Sequence, residues 1–174
     1  GSLDTERYRL DEIGQRRRAS AHLARLHAAD RGVVIQPYLS AVDSTGETAL
    51  LFLGGRYSHA VRKGPMLTEK DSGVHTLYRP EEITPREATI PERAVGEQAL
   101  AAVPGGKERL LYARVDLIPG PDGAPLLLEV ELTEPSLFLA QAAGAPERFA
   151  DAIVASLRAA DISSPRPPSP RKLR

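Results

Sequence analysis

The stretch Leu110–Leu132, LLYARVDLIPGPDGAPLLLEVEL, decides how the rest of the chain is read. Gly120-Pro121-Asp122-Gly123 predicts a tight turn, with proline pre-setting φ at the first central position and glycine closing it. Both flanks then read as strands of one hairpin. With Gly120 opposite Gly123, Leu111, Ala113, Val115 and Leu117 share a side with Leu126, Leu128, Val130 and Leu132. Side chains alternate along a strand, so the other side gathers Arg114, Asp116, Glu129 and Glu131. Three carboxylates beside one guanidinium repel one another, and a hard divalent cation with oxygen ligands would relieve them. A solvated outer face would need no ion. A one-residue bulge would send one arm's carboxylates to the opposite side.

The segments ARVDL and LLLEVELTEPS resemble the metal-binding end of an ATP-grasp ligase, a superfamily that includes D-alanine–D-alanine ligase, glutathione synthetase and the ribosomal-protein glutamate ligases. Its pattern is an Arg-x-Asp strand, a turn, and a strand ending Glu-x-Asn. The resemblance implies that Asp116, Glu129 and Glu131 hold Mg2+ (or Mn2+) and that Arg114 is catalytic. Glu131 stands where many members have asparagine, an extra negative charge that bears on metal number and preference.

The chain has 174 residues, enough for one domain with a core. Its formal net charge of zero argues against a nucleic-acid or membrane-surface binder. Cysteine is absent, which excludes disulfides and thiolate zinc sites. No apolar run is long enough to span a bilayer and no signal peptide is visible, so a cytoplasmic protein is expected.

Asp4–Leu10 reads as a short strand and Asp11–Ala29 as a helix ended by Gly32, with Ala19, Leu23 and Leu26 at helical spacing. Arg16-Arg17-Arg18, His22 and His27 read as ordinary residues of that helix. Val33–Tyr38 reads as a β-branched strand stopped at Pro37. The resemblance makes this the link between two ATP-binding lobes, with Gln36 near the adenine amine and the backbone of Pro37, Tyr38 and Leu39 on the adenine edge. After a polar loop, Glu47–Leu53 and Arg56–Lys63 form a second hairpin about Gly54-Gly55. Regular pairing of Leu53 with Arg56 sets Glu47 opposite Arg62, with His59 on the other face, packed beside Tyr57 and Val61. By resemblance Glu47 binds ribose and Arg62 a phosphate, with Lys63 in reserve; an exposed cross-strand ion pair is the plainer reading.

Gly64–Arg93 carries four prolines and little periodicity, which predicts a long loop, either a lid or disorder, with His75 in it. Gly96–Val103 reads as a short helix, Ser136–Ala143 as another, and Glu147–Ala160 as an amphipathic one with Phe149, Ile153, Val154 and Leu157 as its stripe. The proline-rich tail SSPRPPSPRKLR predicts disorder.

This order predicts an α+β fold, a mainly antiparallel sheet flanked by helices. The resemblance, over Leu3–Leu157, makes it the C-terminal ATP-binding lobe of an ATP-grasp fold. Residues 1–32 would end the first lobe and link the two. Residues 33–160 would form the C-terminal lobe, with a flexible loop at 64–95, and 161–174 a disordered tail. The wording GETALLFLGGRYSHAVRK and LEVELTEPSLFL is most like glutathione-synthetase-like and cycloserine-biosynthesis-like ligases. The implied function is ADP-forming carboxylate–amine ligation through an acyl phosphate, with ATP, a small-molecule carboxylate and an amine as partners. Ser136 would help to bind the acceptor's carboxylate. The upstream lobe with its lysines is expected to be missing, which predicts an inactive fragment. Many members are dimers or tetramers, so a homo-oligomer is compatible. A non-catalytic nucleotide–Mg2+-binding or interaction domain is the alternative.

Overall fold

In this computed structural model of the chain, residues 4–64 and 82–163 are described. Two tight turns generate most of the sheet. Gly54 and Gly55, both at positive φ, join β1 (Glu47–Leu53) to β2 (Arg56–Lys63). The turn at 120–123 joins β4 (Tyr112–Pro119) to β5 (Pro125–Glu131). β1 pairs antiparallel with both β2 and β4. A fifth strand, β3 (Ile83–Arg86), adds to β2, giving the order β3-β2-β1-β4-β5. The expected α+β architecture with an antiparallel sheet is therefore observed.

Both faces of the central strands are covered. On one side Leu50, Phe52, Ala113, Val115 and Leu117 are buried with Leu100 of α3 (Ile90–Ala101). Gly96 lies over Leu50 and Phe52, so close that an added Cβ would stand 2.6 Å from Leu50 Cδ1. On the other side Ala49, Leu51 and Val61 form a smaller cluster with Leu137 and Phe138. α4 (Ala145–Ser163) packs near the β1–β2 turn, with Ala152 against Gly54 and Phe149 edge-on to Tyr112. Among the described residues no helix is long and apolar enough to cross a membrane.

Several expectations from sequence are corrected. Val33–Tyr38 is not a strand: it pairs with nothing in the sheet, and Val34 and Ile35 are 83% and 77% exposed. β-Branched residues favour strands only where a neighbour completes the ladder. Asp4–Leu10 is likewise irregular. α1 (Ile13–Ala28) ends four residues before Gly32. Asp30, at φ 54°, takes the left-handed position, while Arg31 N–H and Asp30 N–H donate to the carbonyls of Leu26 and His27. The polar loop before β1 contains a short helix, α2 (Val42–Thr45). Of the expected loop at 64–95, residues 83–86 are β3 and α3 begins at Ile90. Pro85 is tolerated because β3 is an edge strand. α3 starts with a reciprocal cap: Glu92 N–H donates to Thr89 Oγ1 and Thr89 N–H to Glu92 Oε2. The expected helix at 136–143 is only a single turn, Leu139–Gln141. Residues 65–81, with His75, and the tail from 164 lie outside the described residues.

The β4–β5 register also departs from the symmetric one. The turn is three residues long, with Gly120 N–H donating to Ala124 O and Gly123 at φ 80°. Leu117 therefore faces Leu127, and Leu126 lies opposite Ile118 instead of on the core side. A second irregularity follows at Leu128, beyond which Asp116 pairs with Glu129 and Arg114 with Glu131. Two one-residue slips thus cancel, and the carboxylates return to one side. Leu126, Leu127 and Leu128 remain 41%, 48% and 36% exposed on the outer strand. Deleting Leu128 removes only the extra residue, so stability is expected to stay within about 1 kcal/mol of the parent, the scale of one strand substitution. Deleting Val130 would instead turn Glu131 toward the core and is expected to unfold the chain. Thermal melts of the two deletions check this, and equal losses would refute the cancellation.

Candidate nucleotide and metal site

The site lies on the β-sheet face opposite α3 and is built by four strands. Ala49 pairs with Asp116 and Leu51 with Arg114, so the charges of β4 share a face with the odd-numbered residues of β1, Glu47 among them. A bulge at Ser58 advances β2 by one residue, and Glu47 pairs with Lys63 while Thr48 pairs with Arg62. The expected Glu47–Arg62 pairing is thus corrected. Arg62 points to the other side and donates Nε to Thr45 O at 2.6 Å and Nη2 to Ser44 O at 3.4 Å. The same bulge separates His59 and Val61 from Tyr57, which packs with Phe52 on the α3 side.

Lys63 takes the place expected for Arg62. Its Nζ donates to Glu47 Oε2 and to Asp116 Oδ2, each at 2.9 Å. Arg114 grips Asp116 with two bonds, Nε to Oδ1 at 2.9 Å and Nη2 to Oδ2 at 3.0 Å, and also donates to Glu131 Oε1. An unbroken line of charge, Glu47–Lys63–Asp116–Arg114–Glu131, therefore crosses β1, β2, β4 and β5. Asp116 is 1% exposed and both cations are buried with it, while Glu129 is exposed and Glu131 half-buried.

Burial by itself would lower the Lys63 ammonium, but Asp116 and Glu47 hold it above the ordinary lysine range. Burial likewise works against the Arg114 charge, and the Asp116 bonds more than offset it. Burial pushes Glu131 up; Arg114 opposes this, Glu129 and Asp116 add to it, and the net effect is a raised pKa.

One oxygen each from Asp116, Glu129 and Glu131 lies within 4.8 Å of the others. The donors are all carboxylate, with no sulfur or imidazole among them, which suits a hard cation. Among the described residues, four carboxylates and two cations leave this face with two excess negative charges, the complement of one divalent ion. The residues present therefore fit Mg2+ or Mn2+.

The other expected site residues lie nearby in the chain but not in that line. Gln36 is exposed and Leu39 half-buried in the irregular segment before α2. The Tyr38 ring is covered by Arg7, whose Cζ stands 3.6 Å from the ring centroid, and its hydroxyl donates to Asp43 Oδ1. Arg7 Nη1 also donates to Asp43 Oδ2 at 3.3 Å, tying the segment to α2 and so to the start of β1. Ser136 is exposed on the turn after β5, between buried Pro135 and half-buried Leu137. Phe138, to which the sequence reading gives no role, has its ring centroid 5.8 Å from Arg114 Cζ.

No family model matches the chain. The cycloserine biosynthesis protein DcsG of Streptomyces lavendulae is 43% identical to it over 163 residues, which are 90% of this chain and 52% of that protein. The crystal structure of D-cycloserine synthetase DcsG superposes with a TM-score of 0.68 at 38% identity, over 81% of this chain and 48% of that one. D-alanine–D-alanine ligase from Bacillus anthracis, solved in complex with ATP, shares the fold at a TM-score of 0.55 and 20% identity, over 85% of this chain and 49% of that one. The chain spans about half the length of these relatives. By sequence and by fold, these similarities bear out the resemblance to the C-terminal portion of an ATP-grasp ligase.

Proposed function

We propose that this chain supplies the nucleotide- and metal-binding half of an ADP-forming carboxylate–amine ligase working in the cytoplasm. The γ-phosphoryl group of ATP passes to a carboxylate oxygen, giving ADP and an acyl phosphate. An amine then attacks the acyl carbon, inorganic phosphate leaves, and a proton is released as the amide forms. Charge builds first on the phosphoryl oxygens and then on the tetrahedral oxyanion, so the protein's task is mainly electrostatic.

The observation that carries this reading is the line of charge Glu47–Lys63–Asp116–Arg114–Glu131 on one sheet face. Glu47 would take the ribose, and Lys63, between the ribose carboxylate and the metal carboxylates, would meet the phosphates. Arg114 would stabilise the phosphoryl group or the oxyanion. Gln36 and the backbone of Tyr38 and Leu39 would receive adenine, and Ser136 the acceptor's carboxylate. Asp116, Glu129 and Glu131 would hold Mg2+ or Mn2+, which when bound supplies positive charge to the phosphates. The chain spans about half the length of its relatives, so by itself it would release no ADP with any donor.

Calorimetric titration of Mg·ADP into the parent chain and into Glu129→Gln tests the reading. Glu129 is exposed, so its replacement carries no expected folding cost. Weak binding that Glu129→Gln reduces about tenfold or more is expected. Binding of equal strength in both, or none in the parent, would remove the assignment.

A further inference from the structure

Three residues outside the carboxylate cluster, Arg148, Ser58 and His59, form a directed hydrogen-bond chain that ends on Leu137 O, in the segment after β5. Leu137 O is an acceptor only and stands 3.1 Å from His59 Nε2, so that nitrogen carries a proton. Burial lowers the His59 pKa, which favours the neutral ring, so Nδ1 is the acceptor. Ser58 Oγ lies 2.9 Å from Nδ1 and therefore donates to it. Ser58 Oγ in turn accepts from Arg148 Nε at 2.9 Å, and Arg148 also holds Ala143 O and Ser58 O. The tautomer of His59 is thus set from α4, and β2 delivers one N–H to the segment that follows the metal strand.

That segment needs holding. Glu134 and Phe138 sit at φ 60° and 47°, a region that L side chains seldom adopt and a bulky ring least of all. Between them, Leu137 and Phe138 close over Ala49, Leu51 and Val61, and Phe138 brings its ring to Arg114. Arg114 has two bonds to Asp116 and one to Glu131. Loss of the ring would open one side of the guanidinium to water and loosen its hold on both carboxylates.

We infer that His59 is a positioning residue of the metal site: through Leu137 O it fixes the 134–138 segment, which keeps Phe138 on Arg114 and Arg114 on Asp116 and Glu131. The inference rests on the metal-site reading above, and two readouts separate them. Mn2+ binding by the parent chain, lost in Glu129→Gln, tests the metal site. Solvent exchange of the Arg114 Nε–H, followed by NMR without metal, tests the strut. His59→Leu removes the N–H donor, whereas His59→Gln retains a donor and an acceptor at similar reach.

His59→Leu is expected to speed Arg114 Nε–H exchange and to weaken Mn2+ binding about tenfold, the scale seen for outer partners of metal ligands. His59→Gln is expected to restore most of both. A packing role alone would shift the melting temperature without changing exchange below it. Unchanged exchange in His59→Leu, or no recovery in His59→Gln, overturns the inference. Should His59→Leu fail to fold, Ser58→Ala, which removes only the hydroxyl between Arg148 and His59, decides by the same exchange measurement. A parent chain that binds no Mn2+ would remove the metal-site reading, and with it a positioning role in that site.

Discussion

Asp116→Ala is expected to destabilise the chain by about 3–5 kcal/mol, the range for deleting one partner of a buried ion pair. The Asp116 side chain is 1% exposed and accepts three bonds from two buried cations, Lys63 and Arg114. Among the described residues, its removal would leave Lys63 paired with Glu47 and Arg114 with Glu131. Urea denaturation measures the loss, which at about 1–3 kcal/mol per molar should move the midpoint by more than about 1 M. Glu129→Ala is the control: that residue is exposed, and its loss is expected to stay within about 0.5 kcal/mol. A charged face that was merely solvated would lose little from either substitution. Equal midpoints for the two variants would show that Lys63 and Arg114 reach water on their own.

Gly46→Ala is expected to cost about 3 kcal/mol or more and to abolish nucleotide binding. Gly46 has φ 73° and ψ −159°, a region essentially reserved for glycine, where strain alone is about 1–3 kcal/mol. A Cβ there would also lie 2.1 Å from the carbonyl oxygen of Lys63 and 3.2 Å from its carbonyl carbon. Those are backbone atoms and cannot swing aside, so β1 and β2 would have to part at the end that carries Glu47 and Lys63. Gly123→Ala separates strain from collision: Gly123 is at φ 80° but has nothing within 4 Å of the added carbon. It should lose only the left-handed penalty, about 1–2 kcal/mol. Denaturation of both variants, with Mg·ADP titration into whatever folds, checks the pair. Similar losses at the two positions would mean that the Gly46 contact yields easily.

The two hairpins were legible because their turn residues are: Gly54-Gly55 and Gly120-Pro121-Asp122-Gly123 admit few other conformations. β-Branched composition was a less reliable guide in VVIQPY, since Val33–Ile35 have strand propensity and no ladder to join. The start of α3 was written in Thr89, Pro91 and Glu92, a capping signal hidden within a proline-rich charged stretch. β3 carried no such mark, because a four-residue edge strand with proline is recognisable only by its neighbour.

The sequence by itself determined the two hairpins, the alternation that keeps Arg114 with Asp116 and Glu129 with Glu131, and the α+β class. Local turn chemistry and a two-residue period are enough for that. Only the tertiary structure decided the registers. A bulge at Ser58 put Lys63 on the site and turned Arg62 away, and paired irregularities at Gly123 and Leu128 restored the carboxylates to one face. It also decided that Asp116, Lys63 and Arg114 are buried. A bulge is chosen by what it buries on both faces of a sheet, so its position is settled by α3 on one side and by Leu137 and Phe138 on the other.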